Sequence, residues 1–221
     1  MEMAIFITAV AALFTGLASI FMIFEMKEQK RAISSPALKL ISKNCRAIHK
    51  DSFWQWDIED IHGLPLEFIN FGAGVAYNVS INWLIEVEEL LKIINQSDSV
   101  DLVGSNIGGM LEIGRSFHNT KLQNIRKFDA IPAYQRNDMN RVPIPKYYVC
   151  AFEEFLDLEV FDNENMKTSD WSSFPCIMAD VSYEDINKNI EKKRFKITFD
   201  IISILHGGSK EIDVDVIVKE L

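Results

Sequence analysis

The sequence predicts a mainly β protein: an N-terminal transmembrane helix, a juxtamembrane helix, then a β-sandwich with one or two short helices. Three observations lead there. Residues 4–24 form an uninterrupted stretch without a charge. From about Asp51 onward, short segments rich in β-branched and aromatic residues alternate apolar with polar, separated by turn signals. The last two such segments flank His206-Gly207-Gly208-Ser209, which makes them an antiparallel hairpin. With 221 residues, 48% hydrophobic and 25% charged, the chain has the composition of a folded protein. Its 10 Gly, 6 Pro and 3 Cys exclude collagen-like and disulfide-scaffold classes.

The elements follow in order. As a helix, the 21 residues from Ala4 to Phe24 span about 31 Å, the thickness of a bilayer core. A buried core helix of that length would carry a polar face, and a signal peptide would carry a basic n-region; here only Met1, Glu2 and Met3 precede the stretch. An uncleaved single-pass anchor is therefore expected. Between Glu25 and Lys50 lie seven Lys/Arg against two Glu, which places that side in the cytoplasm and the N-terminus outside. The three cysteines, Cys45, Cys150 and Cys176, cannot all pair with one another, in keeping with a reducing compartment.

On a helical wheel Ala4, Thr8, Ala11, Ala12, Thr15, Ala18 and Ser19 occupy about one third of the circumference, opposite Phe and Leu-rich positions. Small residues let helix backbones approach, so Thr8, Ala12, Thr15 and Ser19 are expected at a homo-oligomeric interface, or lining a narrow pore. A chance small-residue bias is the plain alternative.

Met26 to Ile33 extends the helix, and Ser34-Ser35-Pro36 breaks it. Ala37 to His49 reads as a second, basic helix. Strands are expected at 64–71 and 75–85, then a short amphipathic helix over 86–96, where Val87, Leu90, Leu91 and Ile94 recur at helical spacing. Further strands are expected at 110–117, 122–128, 147–151, 158–161, 176–183, 195–205 and 212–219. Residues 129–146, with three prolines, read as the longest loop. The expected organisation is 1–24 transmembrane, 25–50 basic helical linker, and 51–221 cytoplasmic sandwich.

No catalytic residues, cofactor or metal site are expected. Gly72-Ala73-Gly74 lacks the third glycine of a dinucleotide loop and precedes a strand, so a bulge or strand corner is the better reading. His49, His62, His118 and His206 stand singly, without metal-ligand spacing. Asp213 and Asp215 alternate with Ile212, Val214 and Val216, the pattern of a solvated strand face.

Charge distribution says more than the total of −9. Residues 1–114 sum to −6, residues 115–146 to +5 and residues 147–221 to −8. The middle island comprises Arg115, Lys121, Arg126, Lys127, Arg136, Arg141 and Lys146, interleaved with Phe117, Phe128, Tyr134, Tyr147 and Tyr148. Arginine forks grip phosphates and exposed aromatics stack on bases, so Arg115, Lys121, Arg126, Lys127, Arg136 and Arg141 are candidate contacts for an oligonucleotide ligand. Ion pairing with the surplus carboxylates elsewhere is the competing reading, as is an acidic face of a partner protein.

The order of parts, together with Asn70-x-Gly72-x-Gly74-x-Ala76-x-Asn78 and Val181-Ser182-Tyr183-Glu184-Asp185, resembles a group of bacterial proteins with one N-terminal helix and an Ig-like cytoplasmic sandwich. The layout is similar to the membrane subunit of Hailong-type antiphage systems. That resemblance implies a homo-oligomeric ion channel, a tetramer being the expected size. It also implies a nucleotidyltransferase-like partner that makes a short deoxyadenylate oligomer controlling the channel. The second reading is a membrane-tethered adaptor whose sandwich docks a partner protein without forming a pore.

Overall fold

The computed structural model describes residues 2–50, 53–57, 64–95, 105–107, 110–112, 120–121, 125–133, 140–161, 174–206 and 210–221. Helix α1 (Glu2–Ser34) runs without interruption for 33 residues. Its C-terminal carbonyls are satisfied locally: the Ser34 hydroxyl donates to the Lys30 carbonyl and the Ser35 hydroxyl to that of Arg31, both at 2.7 Å. Pro36 then prevents continuation.

The next segment corrects an expectation. Residues 37–49 are not a helix. They form β1 (Leu38–Ile41) and β2 (Lys43–Lys50), the first strands of the β domain. The sequence permits both periods, but Leu38, Leu40, Cys45 and Ala47 are buried at spacing two, while Lys39, Asn44 and Arg46 are exposed. Pairing with partners far along the chain decides between them. There is thus no juxtamembrane helix separate from α1, and the domain begins near Leu38 instead of Asp51. Of the seven cations in 25–50, Lys27, Lys30 and Arg31 stay on α1, and the other four belong to the sheets.

The remaining elements are β3 (Phe53–Trp56), β4 (Pro65–Asn70), β5 (Ala76–Leu84), α2 (Val87–Ile94), β6 (Ser105–Ile107), β7 (Met110–Glu112), β8 (Thr120–Lys121), β9 (Ile125–Ile131), β10 (Asn140–Pro143), α3 (Lys146–Phe161), β11 (Ile177–Glu184), β12 (Ile190–His206) and β13 (Lys210–Glu220). A seven-stranded sheet runs β3-β2-β13-β12-β11-β5-β9, and a three-stranded sheet runs β1-β4-β10. A third small sheet joins β6, β7 and β8. Every pairing is antiparallel. The protein is mainly β, and the two larger sheets share one core, as a sandwich requires. β12 and β13 form the expected hairpin, paired from His206 opposite Lys210 to Phe195 opposite Glu220; its turn lies outside the described residues. Strand β10 falls within the expected loop 129–146.

A second correction concerns 146–161. The strands expected at 147–151 and 158–161 are one helix, α3. Tyr147, Tyr148, Ala151, Phe152, Phe155 and Leu156 are all buried, a helical spacing that a strand reading of the aromatic content hides. Pro145 starts the helix by accepting from the Tyr148 and Val149 amides. α3 closes the core with a cluster of rings: Phe152 stacks on Phe199 at 4.5 Å and meets Phe174 edge-on at 5.1 Å.

Candidate functional site

Three features stand out: the unsheathed helix, the joint that fixes it to the sheets, and the exposed cations.

From Ala12 to Arg31 every α1 side chain is exposed, and the large apolar ones from Leu13 to Met26 are 53–71% exposed. Ala12, Thr15 and Ser19 lie on this bare surface; the side chain of Thr8 lies outside the described residues. The Ser19 hydroxyl donates to the Thr15 carbonyl at 2.8 Å, so its proton is already satisfied within the helix. Among the described residues, no helix is long and apolar enough to cross a membrane. The side chains of 4–11, part of the uncharged stretch, are outside that set.

The helix meets the sheets at the corner between β4 and β5. Asn70, only 1% exposed, is the clamp. Its Oδ1 accepts from the Ala37 amide at 2.9 Å and the Gly72 amide at 3.0 Å. Its Nδ2 donates to the Gly74 carbonyl at 2.7 Å and the Ile131 carbonyl at 3.2 Å. A Cβ on Gly72 or Gly74 would collide with the backbone of Ser34–Ala37, so both positions need glycine for close approach. The Tyr183 hydroxyl reaches the Pro36 carbonyl at 3.5 Å. Asn78 adopts a φ of 49°, with its Nδ2 donating to Glu184 at 3.0 Å. The two sequence stretches 70–78 and 181–185 are therefore the two sides of one joint. Asp185 completes its side by accepting from the Asn189 side-chain amide at 2.7 Å and from the Asn189 and Asn187 backbone amides, each at 2.8 Å, and these bonds, the Asn189 side chain's first, hold its carboxyl below the usual range.

The basic island does not assemble as one patch among the described residues. Arg115 and Arg136 lie outside them, and for Lys121 only the backbone, in β8, is described. Arg126 and Lys127 are exposed on β9, an edge strand, but as neighbours they face opposite sides of the sheet. Arg141, on β10, is exposed opposite Glu67 of the small sheet. Of the five interleaved aromatics, Phe117 and Tyr134 lie outside the described residues, and the expectation is corrected for the other three: Tyr147 and Tyr148 are buried in the core by α3, and Phe128 packs near Phe68 at 6.3 Å. None of these three rings offers a face for a base. Burial pushes the Tyr147 hydroxyl up to about 12.

Cations that the segment sums concealed do share a face. Lys192 and Arg194 of β12 lie on the same outer face as Lys127, within a stretch whose net charge is dominated by carboxylates elsewhere. The basic run Lys192-Lys193-Arg194, with Lys196 beyond it, was the available signal.

One further polar cluster joins α3 to the sheet. Trp56 Nε1 donates to Glu153 Oε1 and Trp54 Nε1 to Asp157 Oδ1, both at 2.7 Å. Two indoles at spacing two on a strand thus match two carboxylates one helical turn apart. Burial pushes the Glu153 carboxyl up to about 7, and the like charges of Glu154 and Asp157 add to this, while the Trp56 bond and Lys146 oppose it. The buried thiols Cys45 and Cys150 are pushed up to about 11 and about 12 by burial and are unreactive. Among the described residues no group of His, Cys, Asp and Glu is arranged to hold a metal.

Compared with known protein families, characterised proteins and solved structures, the chain has no significant match. The case for function rests on the features above.

Proposed function

We propose that the protein is a single-pass, homo-oligomeric effector of the bacterial inner membrane whose cytoplasmic, Ig-like sandwich senses a nucleotide-type anion. The observation that carries this reading is a long helix with bare apolar side chains, bound to a folded domain through a buried joint. Exposed Leu, Ile, Phe and Met along one helix are unstable in water, and a bilayer and neighbouring copies are the environments that cover them. The uncharged stretch at 4–24 supplies the length. The Asn70 clamp and the glycine contacts leave little slack between helix and sheets, so a change in the sandwich reaches the helix directly. A ligand then shifts the assembly by its difference in affinity between two arrangements. The layout's resemblance to antiphage channel subunits points to an ion-conducting pore as the output.

The satisfied Ser19 hydroxyl favours a second reading, a tethered adaptor, because a pore stripe gains less from a serine whose proton is already bonded. One experiment separates the two. The full chain is expressed in bacteria, fractionated with an alkaline carbonate wash, and assayed for membrane depolarisation. The effector reading expects the chain in the washed membrane fraction, with depolarisation abolished by Thr15→Leu/Ser19→Leu. Depolarisation unaffected by that pair refutes the pore. Function retained after replacing 4–24 with polyleucine establishes the adaptor, and release by carbonate refutes both.

A further inference from the structure

The outer face of the seven-stranded sheet carries a groove that no element covers among the described residues. Strand register aligns Lys127 (β9), Ser80 (β5), Ser182 (β11) and Lys192 (β12) in one row across four adjacent strands. At about 4.8 Å per strand the row is roughly 14 Å long, within the inward reach of two lysine side chains. It contains two ammonium groups, two hydroxyls and no carboxylate. The next row along holds Asn82, Asp180 and Arg194. There Arg194 Nε and Nη2 grip both Asp180 oxygens at 2.5 and 2.8 Å, which pairs that carboxylate; on the row's other side lie Asp129 and Glu184, the latter accepting from Asn78. Glu220 is held by Lys193 at 2.8 Å. A cavity of about 480 Å³, the size of small-molecule sites, lies over Ser80, Asn82, Asp180, Ser182, Lys192 and Arg194, with Leu221 forming one wall; Lys127 extends the row beyond this lining.

The donors in this groove are unspent. Among the described residues, the Ser80 and Ser182 hydroxyls and the Asn82 amide make no hydrogen bond, and Lys127 and Lys192 make no ion pair. Ser80, Asn82 and Ser182 are half-buried. The lining holds two carboxylates, Asp180 and Glu220, each already paired with a cation, so the unbonded Ser80, Ser182 and Asn82 donors together with Lys192 suit an anion with three or more oxygens, which a carboxylate lacks and a phosphate has.

We infer that this groove binds a phosphate ester of nucleotide size, its phosphate over Ser80 and Ser182 between Lys127 and Lys192. The inference rests on the ligand-sensing half of the proposed function and is independent of the anchor. It moves the site away from the expected island: Lys127 belongs to it, while Arg126, on the other side of β9, does not.

The test is calorimetric titration of the detergent-purified full chain with adenosine 5′-monophosphate, glycerol 3-phosphate, inorganic phosphate and a short oligoadenylate, at 50 and 200 mM salt. The expected result is binding at low salt that weakens as salt rises, about tenfold or more by Lys192→Glu and several-fold by Ser182→Ala, with Arg126→Ala changing it less than about twofold. Tighter binding of the adenosine ester than of glycerol 3-phosphate assigns the groove to nucleotides, and the reverse to lipid-headgroup-like esters. Thermal melting confirms that each variant is folded. Binding that ignores Lys192→Glu and Ser182→Ala overturns the groove and leaves ligand sensing standing. Absence of binding by any of the four ligands overturns both.

Discussion

Replacing Glu153 with Gln should remove a pH dependence of stability that the fold builds into its α3–β3 contact. The Glu153 carboxyl is pushed from its usual range near 4.5 up to about 7, chiefly by burial. Between those values the folded protein holds a proton there and the unfolded chain does not. The folded state therefore binds more protons, and stability falls as pH rises from about 4.5 to about 7. The limiting slope for one group is about 1.4 kcal/mol per pH unit, or roughly 3 kcal/mol over the interval. Glu153 is half-buried, so solvent screening reduces this to about 1–2 kcal/mol. Gln keeps an acceptor for Trp56 Nε1 but cannot ionise. Urea denaturation of the full chain in detergent at pH 5, 6, 7 and 8 reads the effect. Wild type should lose about 1–2 kcal/mol across the series. Glu153→Gln should lie within about 0.5 kcal/mol of wild type at pH 5 and exceed it at pH 8. Asp180, Asp185 and Asp213 are held below the usual carboxylate range by their hydrogen bonds. Their contributions disappear as pH falls through those lowered values, outside this window. Parallel pH curves for wild type and Glu153→Gln would refute the argument, as would a Gln variant less stable at pH 8.

Three more outcomes are expected. Asn70→Ala orphans two buried amides and two carbonyls at the joint, which should lower stability by about 3 kcal/mol or more, read as a drop in melting temperature of roughly 6–12 °C. Gly74→Val drives a side chain into the Ser34 carbonyl and should force the end of α1 off the corner; trypsin cleavage after Arg31 should accelerate several-fold, and an unchanged rate would show the joint to be slack. Phe152→Ala removes the centre of the ring cluster and should cost about 3–5 kcal/mol in denaturant melts, whereas the exposed Phe71→Ala should cost less than about 1 kcal/mol.

Local periodicity carried much of the fold. Alternation in 64–71, 75–85 and 176–183 located β4, β5 and β11, and the repeat of Val87, Leu90, Leu91 and Ile94 located α2. Two segments misled for the same reason. In 37–49 apolar residues are sparse enough to fit either period, and in 146–161 aromatic content suggests strands although the spacing is helical. Each was settled by what it packs against. β2 pairs with β13, far along the chain, and α3 buries its rings against Phe174 and Phe199.

The candidate sites divide along the same line. The uncharged stretch at 4–24, the serine–proline stop and the Asn70-Phe-Gly-Ala-Gly74 corner are local chemistry, each written in one short run of the chain. The sequence by itself determined a helix that ends at Ser34-Pro36, a β domain, and a corner that needs glycine. It could not say which cations share a surface, because a strand sends neighbours to opposite faces and antiparallel register joins residues from distant segments. Arg126 and Lys127, adjacent in the chain, are separated by the sheet, while Lys127 and Lys192 fall in one row. Tertiary structure alone decided that, together with the burial of Tyr147 and Tyr148, since register and core packing depend on contacts that no run of sequence contains.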